Sequence, residues 1–362
     1  MPTATDVPAN GSHRVALDAM SGDLGHAVVV EAGLLALRAN PSLSLILVGD
    51  EARLRADCAP HLGTFGDRIR IVHASEVVGM DDKPSKALRG KRDSSMRVAI
   101  NLVKEGQADA CVSAGNTGAL MAIARFVLKT LAGVDRPAIV SAIPSKNGHT
   151  HVLDLGANAA CTAENLFEFA VMGTVLAQAV HGLASPKVGL LNIGEEEIKG
   201  NEAVKEAAAL IQDEPRINYR GFVEGDDICM GDCDVIVCDG FSGNVALKSG
   251  EGVARLIRDI IKEEFTRSLW TRAIAAAAMP VLRRFGRRID PGNYNGASLI
   301  GLRGVVIKSH GNADANAFAN AIGVASAEVA NDVPNRINAL LEDMLSHRSD
   351  EMHAHEDATI GH

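Results

Sequence analysis

Five times along this chain a short apolar run ends in a Gly/Asn/Asp-rich turn: VALDAMSGD at 15–23, ACVSAGNTGA at 110–119, VLDLGAN at 152–158, VGLLNIGEEEIKGN at 188–201 and VIVCDGFSGN at 235–244. Helical sequence follows most of them. Each unit reads as a strand delivering a tight turn into a helix N-terminus. Repetition of that unit predicts a mostly parallel sheet covered by helices on both faces. Such sheets bind ligands beyond the carboxyl ends of their strands, and bare N–H groups at helix N-termini attract anions. The expectation is an α/β fold whose turns gather on one sheet edge around a small, oxygen-rich, phosphate-bearing ligand.

Length and composition narrow the class. At 362 residues, 47% hydrophobic but only 3% aromatic, the chain can bury a large core or two subdomains. Its net charge of −9 argues against a general nucleic-acid partner. The first thirteen residues lack the apolar segment of a secretory signal. No apolar run approaches the roughly 20 residues that span a bilayer; the longest, Ala273–Leu282, contains Pro280. The six cysteines form no CxxC pair, and the spacing of Cys229, Cys233 and Cys238 fits no common zinc site. They read as reduced, mostly buried thiols of a cytoplasmic protein.

The expected organisation is a disordered segment over 1–13, a single α/β catalytic domain over 14–345, and a disordered tail over 346–362. The four tail histidines read as solvated chain rather than a metal site. Expected strands are Val15–Asp18, Leu43–Val48, Ile69–Val72, Ala110–Ser113, Ile139–Ile143, Val152–Asp154, Val188–Leu191, Asn218–Gly221, Val235–Cys238 and Leu299–Lys308, with a hairpin turn at Lys146–His149. Expected helices are Ala27–Arg38, Ser94–Lys104 (capped by Asp93 or Ser94), Thr117–Leu131, Ala163–Val180, Asn201–Ile211, Ala313–Asn331 and Val333–Leu345. Apolar residues at helical spacing from Val245 to Phe265, then Leu269–Phe285 broken or kinked at Pro280, form a helical excursion over 255–290.

The turns supply the candidate chemistry. They offer Asp18, Gly22 and Asp23; Ser113, Gly115, Asn116 and Thr117; Asp154 and Asn158; Glu195–Glu197 and Lys199; Asp239, Ser242 and Asn244. A sixth polar cluster, His310, Asn312 and Asp314, follows the last strand. A single glycine after a strand is usually just a turn, and Asn or Asp often only caps a helix; the force of the signal lies in six such turns. None is a GxGxxG fingerprint or a P-loop, and no GxSxG elbow is present. Lys199 is the clearest cation at the turns, either a ligand group or an ordinary first-turn lysine.

Taken together, DAMSGD (18–23), KPSKALRGKRDSSM (83–96), ADACVSAGNTGALM (108–121), DRPA (135–138), DLGAN (154–158), SPKVGLLNIGEEEIKGN (185–201), CDGFSGNVALK (238–248), NYNGASLIGLRGVVIKSHG (293–311) and DANA (314–317) resemble the PlsX family of phosphate acyltransferases, over roughly residues 14–330. Ser21 stands where that family usually has Gly. The resemblance implies a Rossmann-like fold similar to phosphotransacetylases and isocitrate-type dehydrogenases, and a homodimer peripherally associated with the membrane. It also implies a reaction: long-chain acyl–acyl-carrier protein plus inorganic phosphate gives acyl phosphate for phospholipid synthesis, passed on to the glycerol-3-phosphate acyltransferase. No metal and no organic cofactor is expected. The family's functional lysine and asparagine fall on Lys199 and Asn244, and the remaining turn residues would bind substrate.

Phosphate is already a nucleophile at neutral pH, so the residues needed are donors that position it and hold the tetrahedral oxyanion. The excursion over 255–290 carries nine Arg/Lys and four Asp/Glu, net +5 in an acidic chain. Arg258, Trp270, Arg283, Arg284, Arg287 and Arg288 would meet an acidic carrier protein or an anionic membrane; the alternative is an amphipathic core helix pair at the dimer interface, with solvated arginines. Rival functions are a phosphotransacetylase-like enzyme using acyl-CoA and a non-enzymatic acyl-carrier or phosphate-binding regulator. A β-decarboxylating dehydrogenase would need an acidic metal-ligand array, which the sequence does not display.

Overall fold

The computed structural model describes residues 12–344. Its centre is one eleven-stranded sheet. In chain order the strands are β1 His13–Asp18, β2 Leu43–Gly49, β3 Ile69–His73, β4 Ala110–Ser113, β5 Ala138–Ser145, β6 Gly148–Leu153, β7 Lys187–Leu191, β8 Asn218–Val223, β9 Val235–Val237, β10 Ala297–Ile300 and β11 Val305–Lys308. Across the sheet they run β3-β2-β1-β4-β11-β10-β5-β6-β9-β7-β8. The helices are α1 His26–Ala39, α2 Glu51–Cys58, α3 Leu62–Phe65, α4 Pro84–Gly90, α5 Ser95–Lys104, α6 Thr117–Leu128, α7 Ala163–His181, α8 Glu202–Gln212, α9 Gly240–Thr266, α10 Leu269–Ile289 and α11 Ala315–Ala330. A further helix covers 333–344.

Side chains alternate across the sheet as the two-residue strand period requires. Val15 and Leu17 of β1 pack with α1 and α11 on one face. Ala16 between them packs with Met96, Ile100 and Leu120 of α5 and α6 on the other. Beyond the middle of the sheet, α7 is buried nearly all round between the strands, α8 and the 333–344 helix, which is why its sequence is apolar on every side. Ser94 caps α5, and Thr162 and Asn165 make a capping box on α7.

Several expectations change. The anticipated strand Leu299–Lys308 is two antiparallel strands, β10 and β11, paired through Ala297–Lys308 and Ser298–Ile307. Gly301, at φ +91°, makes the reversal possible. Helices α2 and α4 were not anticipated; α2 buries only Leu54 and Cys58 and so leaves little apolar periodicity to read. α10 runs through Pro280 without a break. α6 ends at Leu128 rather than Leu131. The expected disordered ends fall outside the described residues except at Ser12 and His13, and His13 already belongs to β1, its N–H bonded to the Ser42 carbonyl at 2.9 Å. Leu345 also lies outside them.

The largest correction concerns strand direction. β1, β2, β3, β4 and β11 are mutually parallel, and so are β6, β7, β8 and β9. Three antiparallel contacts, β11–β10, β10–β5 and β5–β6, separate these groups. Three reversals leave the two groups pointing opposite ways. The polar turns therefore do not gather on one sheet edge. Those after β1, β4 and β11 open at one edge, and those after β6, β7 and β9 at the other.

Candidate active site

At the first edge the turn after β1 is welded to its neighbours. Asp18 is fully buried, and its Oδ2 accepts from Ser113 Oγ at 2.6 Å. Burial pushes its carboxyl above the ordinary range, against the pull of Ser113, Ser95 and Ser21. Ser21 itself is buried, donates to the Asp18 carbonyl at 3.2 Å and lies 3.3 Å from Ser113 Oγ. The Asp23 N–H bonds the Gly311 carbonyl at 2.7 Å. Gly22 holds φ +93° where a Cβ would stand 3.2 Å from that same carbonyl, so only glycine fits without strain. Asn116 caps α6 by accepting from the Ala119 N–H at 2.9 Å, while its amide donates to the Met80 and Asp82 carbonyls. Thr117 is the first residue of α6. Gly115 donates its N–H to Ser113 Oγ at 3.1 Å. Asp314 caps α11 through the Ala317 N–H.

Lys308 and His310 stand in this end of the site, near Lys248 of α9. Lys308 closes β11 and is mostly buried; burial pushes its pKa down to about 8 although Asp23 and Asp18 oppose the shift. His310 is likewise shifted down by burial, and its Nε2 lies 3.7 Å from Glu251 Oε1. Lys308 was not singled out from the sequence, where it reads only as the end of a strand.

At the opposite edge Asp154 organises the turn after β6. It is fully buried. Its Oδ1 accepts from the N–H groups of Ile139, Gly156 and Ala157, and its Oδ2 from the backbone and side-chain amides of Asn158 at 2.7 and 3.0 Å. The start of α9 packs directly onto this turn. A Cβ at Gly240 would stand 2.6 Å from the Asn158 carbonyl, and one at Gly243 would collide with the Asp154 carbonyl. The spacing in DGFSGN thus reflects close backbone approach as well as turn chemistry. Asp239 caps α9, accepting from the Ser242 N–H and hydroxyl, each at 2.9 Å.

Asn244, the fifth residue of α9, leaves this packed corner exposed, with its side chain over Gly156. Lys199 stands in the turn after β7, which pairs directly with β9, so Lys199 and Asn244 emerge at the same edge from neighbouring strands. Lys199 Nζ lies 2.8 Å from Glu196 Oε2, and that carboxylate raises the lysine pKa. Asn192, not anticipated from sequence, ties the loop together by donating to the Gly194 and Lys199 carbonyls at 3.1 and 3.2 Å.

Helix α9 connects the two edges. From Gly240 to Glu251 it covers about 16 Å at 1.5 Å per residue, a length comparable to a five-residue strand at about 3.3 Å per residue. Asn244, Lys248 and Glu251 share one face by their i, i+4, i+7 spacing. Lys248 donates to Glu251 Oε2 at 2.9 Å. Beside this junction opens a groove of about 1440 Å³, lined at its polar end by Glu251, Arg255, His310, Asn312 and Asp314.

Beyond the site, α9 and α10 pack on each other rather than into the core. α9 buries only Gly240 and Gly243, and no described side chain of α10 is buried. The pair is thus no part of this chain's own core. Leu269 and Trp270, at the turn between the helices, are 84% and 77% exposed. Arg258 lies 3.9 Å from Asp290, and Arg283 and Arg284 are exposed on α10. The side chains of Arg287 and Arg288 lie outside the described residues. No helix among the described residues is long and apolar enough to cross a membrane. All six cysteines are free; Cys229 is exposed and Cys161 half-buried, the other four buried.

This architecture is that of the phosphotransacetylases. A phosphotransacetylase from Streptococcus pyogenes superposes with a TM-score of 0.61 at 19% identity, over 88% of this chain and 94% of its own. EutD phosphotransacetylase from Staphylococcus aureus superposes with a TM-score of 0.58 at 18% identity over the same shares. Sequence similarity is far closer. The profile of the family described as "Fatty acid synthesis protein" matches residues 13–336. Phosphate acyltransferase from Methylococcus capsulatus is 63% identical over 92% of this chain and 98% of its own length, and that from Alkalilimnicola ehrlichii 60% identical over 92% and 97%. The chain belongs to this family, the PlsX phosphate acyltransferases, and it is an acyltransferase.

Proposed function

We propose that this acyltransferase moves a long-chain fatty acyl group from an acyl-carrier protein to inorganic phosphate, yielding acyl phosphate for phospholipid synthesis. What carries the reading is the emergence of Lys199 and Asn244 from neighbouring strands at one sheet edge in a chain of this family. A phosphate oxygen attacks the thioester carbonyl carbon. The tetrahedral oxyanion collapses, the C–S bond breaks, and the carrier's thiolate departs and takes up a proton. Asn244 donates to the oxyanion or orients phosphate. Lys199 neutralises phosphate by exchanging its partner Glu196, since their ion pair joins two exposed groups that water already screens. The cations at the far end of α9 are less available, because Lys308 is opposed by Asp18 and Asp23 and Lys248 is held by Glu251.

Asp154, Asn158, Asp239 and Ser242 serve this site by fixing the turn from which Asn244 projects. Gly22, Asp23, Ser113, Gly115, Asn116, Thr117, His310, Asn312 and Asp314 form its second pole. Residues 14–345 act as one catalytic domain, assembled as a homodimer. The basic α9–α10 excursion meets the acidic carrier and an anionic membrane, bringing the enzyme to the glycerol-3-phosphate acyltransferase that uses its product. The deciding assay measures acyl phosphate formation from phosphate with long-chain acyl–carrier protein and, in parallel, with acyl-CoA. Phosphate-dependent turnover that prefers the carrier-protein donor supports the proposal. Preference for short acyl-CoA would replace it with a phosphotransacetylase, and absence of turnover with either donor would leave a binding protein.

A further inference from the structure

At the other end of β6 from Asn244, three histidine rings converge on the groove that Glu251 and His310 also line. His149 and His151 lie two residues apart near the start of β6 and so project from the same face of the strand. His181 is the last residue of α7. Its Nε2 lies 2.7 Å from His151 Nε2 and 3.0 Å from His149 Nε2. The ligand atoms of all three fall within 4.8 Å of one another.

Hydrogen bonding among the rings does not satisfy this arrangement. A neutral imidazole nitrogen carries one proton or one lone pair. The single Nε2 of His181 therefore cannot make an ordinary hydrogen bond to both neighbours at once. A cation bound by three lone pairs removes the conflict. Nitrogen ligands held about 2.0–2.1 Å from zinc at tetrahedral angles stand about 3.3 Å apart, so modest ring rotations convert the observed spacing into a ligand set. The surroundings favour a cation. The site sits at the carboxyl end of a nineteen-residue helix, where the helix dipole is negative. Asp234 lies near enough to His181 to favour positive charge there. His151 Nδ1 is buried without a hydrogen-bond partner.

We propose that His149, His151 and His181 form a binding site for a zinc-class divalent cation that pins the C-terminus of α7 to the start of β6. Three imidazoles suit zinc, cobalt, nickel or copper rather than calcium or magnesium. The covalent connection between β6 and α7 lies at their other ends, in the turn containing Asp154 and Asn158. A metal here would close the unit at both ends, bracing the strand that presents Asp154. It takes no part in acyl transfer as proposed above.

The test titrates the full-length chain with zinc chloride by calorimetry and with cobalt chloride by visible absorption, alongside thermal unfolding with and without zinc. His149→Ala and His181→Ala are the informative variants, since neither ring is fully buried, and circular dichroism checks that they fold. A variant with His347, His353, His355 and His362 replaced by Ala controls for the tail. Expected are one equivalent of bound metal, a tetrahedral cobalt spectrum and a raised Tm. Each cluster variant should bind at least about 100-fold more weakly, the upper range for losing even a supporting residue, while the tail variant binds as wild type. Equal affinity in the cluster variants, loss of binding in the tail variant, or no binding at micromolar zinc would each overturn the site.

Discussion

Glu251 Oε1 lies 3.7 Å from His310 Nε2, although Glu251 belongs to a helix that begins at the opposite edge of the sheet from His310. This contact joins the two poles of the site. One pole is the Asp154–Asn158 turn with Asn244 over it; the other is the Asp18–Ser113–Gly311 knot. The helix between them, α9, is anchored by two glycines that allow backbone to touch backbone. Site geometry thus depends on how tightly α9 sits on the β6 turn.

Gly243→Ala should therefore destabilise the fold, because the added methyl meets the Asp154 carbonyl, which cannot swing aside. A loss of at least about 1–3 kcal/mol is expected, the scale for forcing an extra carbon into a packed region. Asn244→Ala, one residue on and exposed, should leave the urea midpoint nearly unchanged and cut turnover. If Asn244→Ala unfolds as readily as Gly243→Ala while keeping its specific activity, Asn244 is structural.

Lys199→Ala should fold normally and lose at least about 100-fold in kcat, the scale for removing one preorganised stabiliser of transition-state charge. Lys199→Arg should recover part of that loss. A variant that needs more phosphate but reaches wild-type kcat would show that Lys199 contributes to ground-state binding alone.

Much of this was legible in the chain. Strand-turn-helix units announced the α/β class, and the strings around Lys199 and Asn244 placed the family. That most strands run parallel was legible too; where their direction reverses was not. A hairpin such as β10–β11 hides inside a largely apolar run whose two halves are parted only by Gly301, Leu302, Arg303 and Gly304, and a single misjudged reversal moves half the turns to the other edge. Nor did the sequence reveal Lys308 as a buried cation, since its environment is made by Asp18 and Asp23, nearly 300 residues away in the chain. Asn116, Asp239 and Asp314 show the opposite lesson: residues singled out as ligand groups are engaged as helix caps.

Glu328 gives a pH signature. It is buried, accepts from Ser298 Oγ at 2.9 Å, and burial pushes its pKa up from 4.5 to about 7. Between these values the folded chain holds a proton that the unfolded chain has released. Stability from this group is complete below about pH 4.5 and is lost as pH rises through 7. Glu328→Gln should remove that loss. Comparing urea midpoints at pH 5 and pH 8, the variant should gain on wild type by up to about 3 kcal/mol at the higher pH. A difference that does not change with pH would show that Glu328 is ionised in the fold.

The α9–α10 tip should bind anionic surfaces through charge and insert through Leu269 and Trp270. Neutralising Arg283, Arg284, Arg287 and Arg288 together should weaken binding to anionic vesicles, since each exposed basic residue near such a leaflet contributes on the order of 1 kcal/mol. The effect should fade in high salt, where the Debye length falls to about 3 Å at 1 M. Leu269→Glu with Trp270→Glu tests insertion separately, because it adds repulsion and removes apolar area without touching the arginines. Turnover of soluble acyl–carrier protein in the absence of vesicles distinguishes the partners. Lost vesicle binding with unchanged soluble turnover assigns the arginines to the membrane, whereas a raised KM for the carrier protein assigns them to docking of that protein. Wild-type behaviour of the quadruple variant in both assays would make the arginines a solvated face, and the basic excursion would then have no role in bringing the enzyme to its partners.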